Sequence, residues 1–243
     1  MRVLAIGNSF SQDAMRYLHG IARASGEQME VVNLFIGGSP LEKHYRNMMG
    51  DYRAYTLQYN GTSTGFSMSI KEALLSRPWD AVTLQQASYY SVRYESYQPY
   101  LNALCNYVRQ CVPHARVILH QTWAYEDGGE KLIAHPDVET AAEMYEKLQK
   151  AYTQAMTDSN ANGLIPSGEL MYRLLEHGIP RVHRDGFHAS LGLGRYALGL
   201  LWYRALTGKD IMDNSFSDFD EEISAEDILT VKQCVTELGL ITQ

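Results

Sequence analysis

Short apolar runs alternate along the chain with longer segments whose apolar residues recur every three to four positions. Val3 to Ile6 reads as a buried strand, and a helix follows over Gln12 to Ala24, with Ala14, Tyr17, Leu18, Ile21 and Ala22 on one face. Met29 to Phe35 is a second strand and Pro40 to Arg53 a helix. Tyr55 to Tyr59, Asn60-Gly61 and Thr64 to Met68 read as a small hairpin, because Asn-Gly supplies the left-handed turn. A short helix over Ser69 to Leu75 precedes a third strand, Ala81 to Gln85. The helix over Tyr97 to Cys111 is stopped by Pro113, and Arg116 to His120 is a fourth strand. Val138 to Ser159 is a long helix and Gly163 to Pro166 a short fifth strand. Ser167 to His177, Leu191 to Leu206 and Ala225 to Leu238 complete the helices. Such alternation predicts an α/β fold with about five parallel strands covered on both faces. With no repeat, low-complexity run or long linker, residues 1–243 read as a single domain.

Ligands of such sheets bind past the carboxyl ends of the strands. Ser9, Gly37-Gly38, Gln85-Gln86 and Gln121 to Trp123 all follow predicted strand ends, which places them on one rim.

Composition narrows the partners. A net charge of -7 and a pI of about 5.6 disfavour nucleic acid and anionic membranes, which call for basic patches. No apolar stretch approaches the roughly 18 residues of a membrane helix. A strand-like segment begins at Arg2 with no leader pattern before it. This fits a cytoplasmic chain, or a secreted or periplasmic one whose leader has been removed. Cys105, Cys111 and Cys234 show no metal or CxxC spacing and read as reduced thiols. Tyrosine is abundant, and Tyr89, Tyr90, Tyr94, Tyr97 and Tyr100 cluster; they serve either helix packing or an aromatic wall suited to sugars.

Three features carry candidate chemistry. Ser9 follows a buried strand and precedes a helix, so either Ser9 or Ser11 serves as the helix cap, or Ser9 is a nucleophile with its backbone N–H near the positive helix end. In Asp185-Gly-Phe-His188 the carboxylate and imidazole can share a turn, with Nε2 left as a base; the alternative is a plain surface turn. His183, Asp185 and His188 also form a conceivable zinc set, but no fourth ligand accompanies them, and no metal is expected. Gly37-Gly38 let backbone N–H groups approach a ligand, or merely turn the chain. No Lys-Ser/Thr follows these glycines and GxGxxG is absent, so this is not a phosphate loop. Arg184, next to Asp185, either meets an anionic substrate or faces water, with water favoured.

The order GNSFS after strand one, GGS after strand two, a polar end to strand three and DGFH before the last helices resembles the SGNH (GDSL-type) hydrolase superfamily. The resemblance covers roughly residues 2–206 and is closest to a subgroup with GNSFS at block one. It implies a three-layer, flavodoxin-like α/β/α sandwich and ester hydrolysis through an acyl-serine, with no organic cofactor. Ser9 would be the nucleophile, His188 the base and Asp185 the third triad member. Backbone N–H groups of Ser9 and of Gly37 or Gly38 would hold the oxyanion.

Two positions depart from the family pattern. Block one usually reads Gly-Asp-Ser and here carries Asn8. The family's Gly-x-Asn after strand three, whose amide donates to the oxyanion, falls on Ala87, Ser88 and Tyr89 when counted from Asp80. Gln86, Gln85 or Tyr89 would then have to supply that donor, with Gln86 preferred. Tyr89, Trp123 and Tyr125 are candidates for the substrate wall; Trp123 serves equally well as packing under the Glu126 to Asp137 loop, which is placed to cover the cleft. The expected substrate is a small-molecule or carbohydrate ester, with an O-acetyl group favoured over a short-chain lipid or aryl ester. A non-catalytic carbohydrate-binding module on the same fold is one rival. A flavin or nucleotide binder is another, and it leaves DGFH without a role.

Overall fold

The computed structural model describes residues 1–239 and the backbone of residues 241–242. In chain order the elements are β1 (Arg2–Gly7), α1 (Ser9–Met15), α2 (Leu18–Ala24), β2 (Glu30–Phe35), α3 (Leu41–Gly50), β3 (Tyr55–Tyr59) and β4 (Thr62–Met68). Then come α4 (Ile70–Leu75), β5 (Ala81–Leu84), α5 (Tyr100–Cys111), β6 (Arg116–His120), α6 (Glu130–Ile133) and α7 (Ala141–Ser159). The chain closes with β7 (Gly163–Ile165), α8 (Ser167–Glu176), α9 (Leu193–Thr207), α10 (Ala225–Glu237) and β8 (Ile241–Thr242).

The strands form one mixed sheet of order β4-β3-β2-β1-β5-β6-β7-β8. The run β2-β1-β5-β6-β7 is parallel throughout, which is the five-stranded core expected from the apolar runs. Alternate residues of β1 feed opposite sides: Val3 and Ala5 join the core under α1, α2, α8, α9 and α10, while Leu4 and Ile6 join the one under α3, α4 and α5. Burial on both faces is what makes these strands read as continuous apolar runs. The chain passes from β1 to β2 on one side and returns to β5 on the other. β1 therefore sits where the strand order reverses, and the segment after it opens into a crevice.

The hairpin is present, but it is not a separate unit. β3 pairs antiparallel with β2 and extends the main sheet, with β4 at the edge. Asn60 and Gly61 both have positive φ, 49° and 81°, as a tight hairpin turn requires. A Cβ on Gly61 would stand 2.3 Å from the Arg16 carbonyl oxygen, so this turn also has no room for a side chain.

The expected first helix begins three residues earlier, at Ser9, and breaks into α1 and α2 at Arg16-Tyr17. The break coincides with tertiary anchors that periodicity does not contain. The Tyr17 hydroxyl donates to Leu191 O and accepts from the Asp220 N–H, each at 2.6 Å, and Arg16 pairs with Asp220. The helix expected from Tyr97 starts at Tyr100, because Tyr97 lies in a separate short turn ahead of Pro99.

Two histidines are wholly buried. His44 Nδ1 meets the Tyr55 hydroxyl at 2.9 Å, and His120 lies between Gln85 and Ser167. Burial lowers the pKa of each ring to about 3, with Lys43 adding to the effect at His44. The unfolded chain binds these protons near pH 6.5 and the folded chain does not, so stability is lost as pH falls from about 6.5 toward 3. Each ring contributes about 1.4 kcal/mol per pH unit in that window. Melting temperatures measured from pH 7 to pH 4 should therefore fall, and His120→Gln should flatten the slope. An unchanged slope in that variant would show that His120 does not resist protonation.

Candidate active site

Ser9 is the first residue of α1, directly past β1. The cap of this helix is neither Ser9 nor Ser11 but Asn8, whose Oδ1 accepts the Phe10 N–H at 3.0 Å. Ser11 instead donates to Asn8 O or Asn33 Oδ1, both at 2.9 Å. The Ser9 hydroxyl is thereby left for another partner, and its N–H, at the first helical position, has no acceptor within the helix.

That partner is His188. Its Nε2 lies 2.8 Å from Ser9 Oγ, and its Nδ1 lies 2.8 Å from Asp185 Oδ2. With Nδ1–H donating to the carboxylate, Nε2 accepts from the serine. Asp185 Oδ1 also accepts the backbone N–H groups of His188 at 2.9 Å and Phe187 at 3.4 Å, which closes the DGFH turn around Gly186 at φ 84°. Partial burial pushes the Asp185 carboxyl up, but the His188 ring and these N–H groups outweigh it and hold the pKa below the ordinary aspartate value.

The turn is anchored from three sides. Trp123 Nε1 donates to Phe187 O at 2.7 Å, and the Glu126 N–H donates to Gly186 O at 2.8 Å. Arg184 does not face water as expected. Its Nη1 pairs with Asp13 at 2.9 Å, and Asp13, fully buried, also holds Arg195 at 2.9 Å. Asp13 is four residues past Ser9 on the same face of α1, so one helix carries the serine and grips the histidine's loop.

A cavity of about 260 Å³ opens in front of Ser9. Gly38, Ala87 and Ser88 border it on the strand-end side, and Tyr89, Tyr125 and Phe187 add aromatic wall. Gly38 has φ 63°, a conformation that glycine adopts freely. Gly37 is not among the residues lining this cavity. Lys131, which the sequence reading passed over, reaches it from α6 in the covering loop, its ammonium 5.4 Å from the centre of the Phe187 ring.

Neither glutamine lines this cavity, and the amide of each is bonded to the protein. Gln85 Nε2 donates to Asn8 Oδ1 at 2.7 Å, and its Oε1 pairs with His120 Nδ1 at 2.9 Å. Gln86 Nε2 donates to Ser96 O at 2.9 Å, and its Oε1 accepts the N–H groups of Leu41 and Ala87. Both are buried pegs that tie strand ends and loops together. Their assignment as oxyanion donors is corrected on that ground: neither borders the cavity, and a buried amide gives up a hydrogen bond it has made only at a cost.

Trp123 is also corrected. It is fully buried, stacked on Phe10 at 4.1 Å between ring centres, and it supports the DGFH turn from beneath instead of lining the cavity. Tyr89 and Tyr125 do line it. Tyr89 packs on His135 at 4.8 Å, while the Tyr125 hydroxyl sits 2.8 Å from Ser88 Oγ and burial raises its pKa to about 12.

Asn8 has a role that an aspartate would not fill. Its Nδ2 donates to Ser39 O at 3.2 Å while its Oδ1 accepts from Phe10 and Gln85. A carboxylate here would face that carbonyl without a hydrogen. Asn8 belongs to a buried polar chain that runs beneath the serine from Gln58 through Asn33, Ser11, Asn8, Gln85 and His120 to Ser167. His183, the remaining member of the conceivable zinc set, bonds to Ala124 O at 3.0 Å. Among the described residues no three His, Cys, Asp or Glu side chains gather as a metal site. No helix among them is long and apolar enough to cross a membrane.

The sequence reading missed Phe10, Asp13, Lys131 and Phe187. Asp13 was findable: an acid within the apolar face of a helix signals a buried partner.

Comparison with known proteins gives the fold and the family. An acetyl xylan esterase from Geobacillus stearothermophilus superposes with a TM-score of 0.51 at 15% identity, over 89% of this chain and 97% of its own. A candidate SGNH hydrolase from Slackia heliotrinireducens gives 0.61 at 22%, over 84% and 97%. At such identities these two show a common fold and nothing finer. No curated protein matches the chain. A DUF4886 family protein from Bacteroides uniformis is 33% identical with a TM-score of 0.91, over 97% of this chain and 93% of its own. The model for "Domain of unknown function (DUF4886)" matches residues 2–234. Matched from β1 into α10, the chain belongs to the DUF4886 family and has the α/β fold of SGNH hydrolases.

Proposed function

We propose that the protein is a serine esterase acting on small acyl esters through an acyl-serine intermediate. The observation that carries this reading is the unbroken chain Ser9 Oγ, His188 Nε2, His188 Nδ1 and Asp185 Oδ2, with 2.8 Å at each hydrogen bond, at the edge of a cavity. Ser9 Oγ attacks the ester carbonyl carbon as its proton passes to His188 Nε2. Asp185 steadies the imidazolium, and the N–H groups of Ser9 and Gly38 receive the developing oxyanion. His188 then protonates the departing alcohol oxygen. A water, deprotonated by the same nitrogen, cleaves the acyl-serine to release the acid and restore Ser9.

A cavity of about 260 Å³ suits a short acyl group and part of its alcohol. The exposed ring of Tyr89 at its mouth is a surface on which a sugar packs. A protein of this fold is an acetyl xylan esterase, which makes O-acetylated carbohydrate the first substrate class to try.

A fluorophosphonate probe, with p-nitrophenyl acetate as reporter, tests the reading. Peptide mapping should find one label per chain, on the peptide holding Ser9, with hydrolysis stopping as label is incorporated. A chain that takes no label and hydrolyses no ester would favour a binding module instead.

A further inference from the structure

The reading above leaves the oxyanion without the side-chain donor that the family's asparagine supplies, since both glutamines after β5 are committed elsewhere. The slots that the asparagine segment would occupy fall on Ala87, Ser88 and Tyr89, and all three residues line the cavity with Ser9. Among them Ser88 is the one with a buried hydroxyl, paired with that of Tyr125 at 2.8 Å. The cavity is lined by Tyr125 as well.

Two hydroxyls joined by one hydrogen bond use one hydrogen between them. Whichever oxygen accepts keeps its own hydrogen, and among the described residues neither hydroxyl has another acceptor. A buried hydroxyl hydrogen with nothing to bond is uncommon, because it forfeits what water gave it in the unfolded chain. One that borders a cavity beside a nucleophile is placed to be satisfied by a ligand oxygen.

We infer that the Ser88–Tyr125 hydroxyl pair is the third oxyanion donor, replacing the family's asparagine amide. The inference rests on the esterase reading. The pair is redundant by construction: remove either hydroxyl and the survivor, freed of its partner, turns its hydrogen to the oxyanion. Burial raises the Tyr125 pKa to about 12, which keeps that proton in place at working pH.

Redundancy gives the experiment a signature that packing alone does not. Ser88→Ala, Tyr125→Phe, the double variant and a Tyr59→Phe control are assayed with p-nitrophenyl acetate. Each single change should cost less than about tenfold in kcat, and the double change about 10²–10³-fold, with KM nearly constant. Tyr59→Phe, on the exposed edge of β3 and outside the cavity, should match wild type. The phosphonylation rate of Ser9 by the fluorophosphonate, whose phosphoryl oxygen takes the oxyanion's place, should fall in parallel with kcat. A double variant no worse than the product of the singles overturns the inference, as does a loss that appears in KM or in melting temperature while phosphonylation stays at the wild-type rate. Wild-type protein that neither hydrolyses the ester nor takes the label overturns the esterase reading itself.

Discussion

Ser9→Ala is expected to lower turnover by about 10⁴–10⁶-fold while leaving the melting temperature within a degree or two of wild type. The kinetic size follows from the chemistry: without Oγ there is no acyl-enzyme, and only the residual help of positioning and backbone N–H groups remains. The thermal indifference follows from the structure. Ser9 does not cap α1, because Asn8 does, and its hydroxyl has one side-chain partner, His188. His188→Ala should be comparably severe, since the serine then has no base. The double variant should be no worse than either single change, because the two groups act as one unit. Losses that multiply would mean that they act independently, which the 2.8 Å bond between them makes untenable for this mechanism. Full activity in Ser9→Ala would place the chemistry elsewhere.

The parts of this molecule that could be read from sequence are those whose cause is local. Five parallel strands announce themselves as apolar runs because both faces of each are buried, and Asn60-Gly61 announces a hairpin because few other pairs accept two positive φ values. Asp185 and His188 were legible as a pair because three residues close one turn. Their junction with Ser9, 179 positions away, is tertiary, and only a family pattern hinted at it.

What could not be read is who satisfies whom. Gln85 and Gln86 look alike as polar residues after a strand. Nothing in the string of residues says that Asn8, His120, Ser96, Leu41 and Ala87 hold their amides away from the cavity. Arg184 looks like a surface charge until Asp13 is found buried beneath it. Trp123 was evenly poised between wall and support, and its stacking on Phe10 and bond to Phe187 O decide for support. Buried polar pairing is long-range, so propensity and periodicity carry no record of it.

Asp13→Asn is expected to give the largest loss of stability, about 3–5 kcal/mol, or roughly 10 °C in melting temperature for a chain of this length. Asp13 is fully buried and neutralises Arg184 and Arg195, themselves mostly shielded. Removing its charge leaves two guanidinium groups in a low-dielectric setting with Asp220 as the nearest remaining acid for Arg195 alone. A kinetic cost should accompany the thermal one. The Arg184 backbone N–H donates to His188 O at 3.0 Å and its side chain holds Ala189 O, so the grip of Asp13 on Arg184 sets where the imidazole sits over Ser9. A displacement of the base by an ångström can cost about 10²-fold in kcat, with KM little changed. Asp220→Asn supplies the contrast. Asp220 pairs with Arg16 and Arg195 but not with Arg184, so its loss should lower stability without touching kcat at temperatures where the protein is folded. If both variants keep wild-type kcat at 20 °C, Asp13 is a stability residue only, and the placement of His188 rests on Trp123, Glu126 and the turn itself.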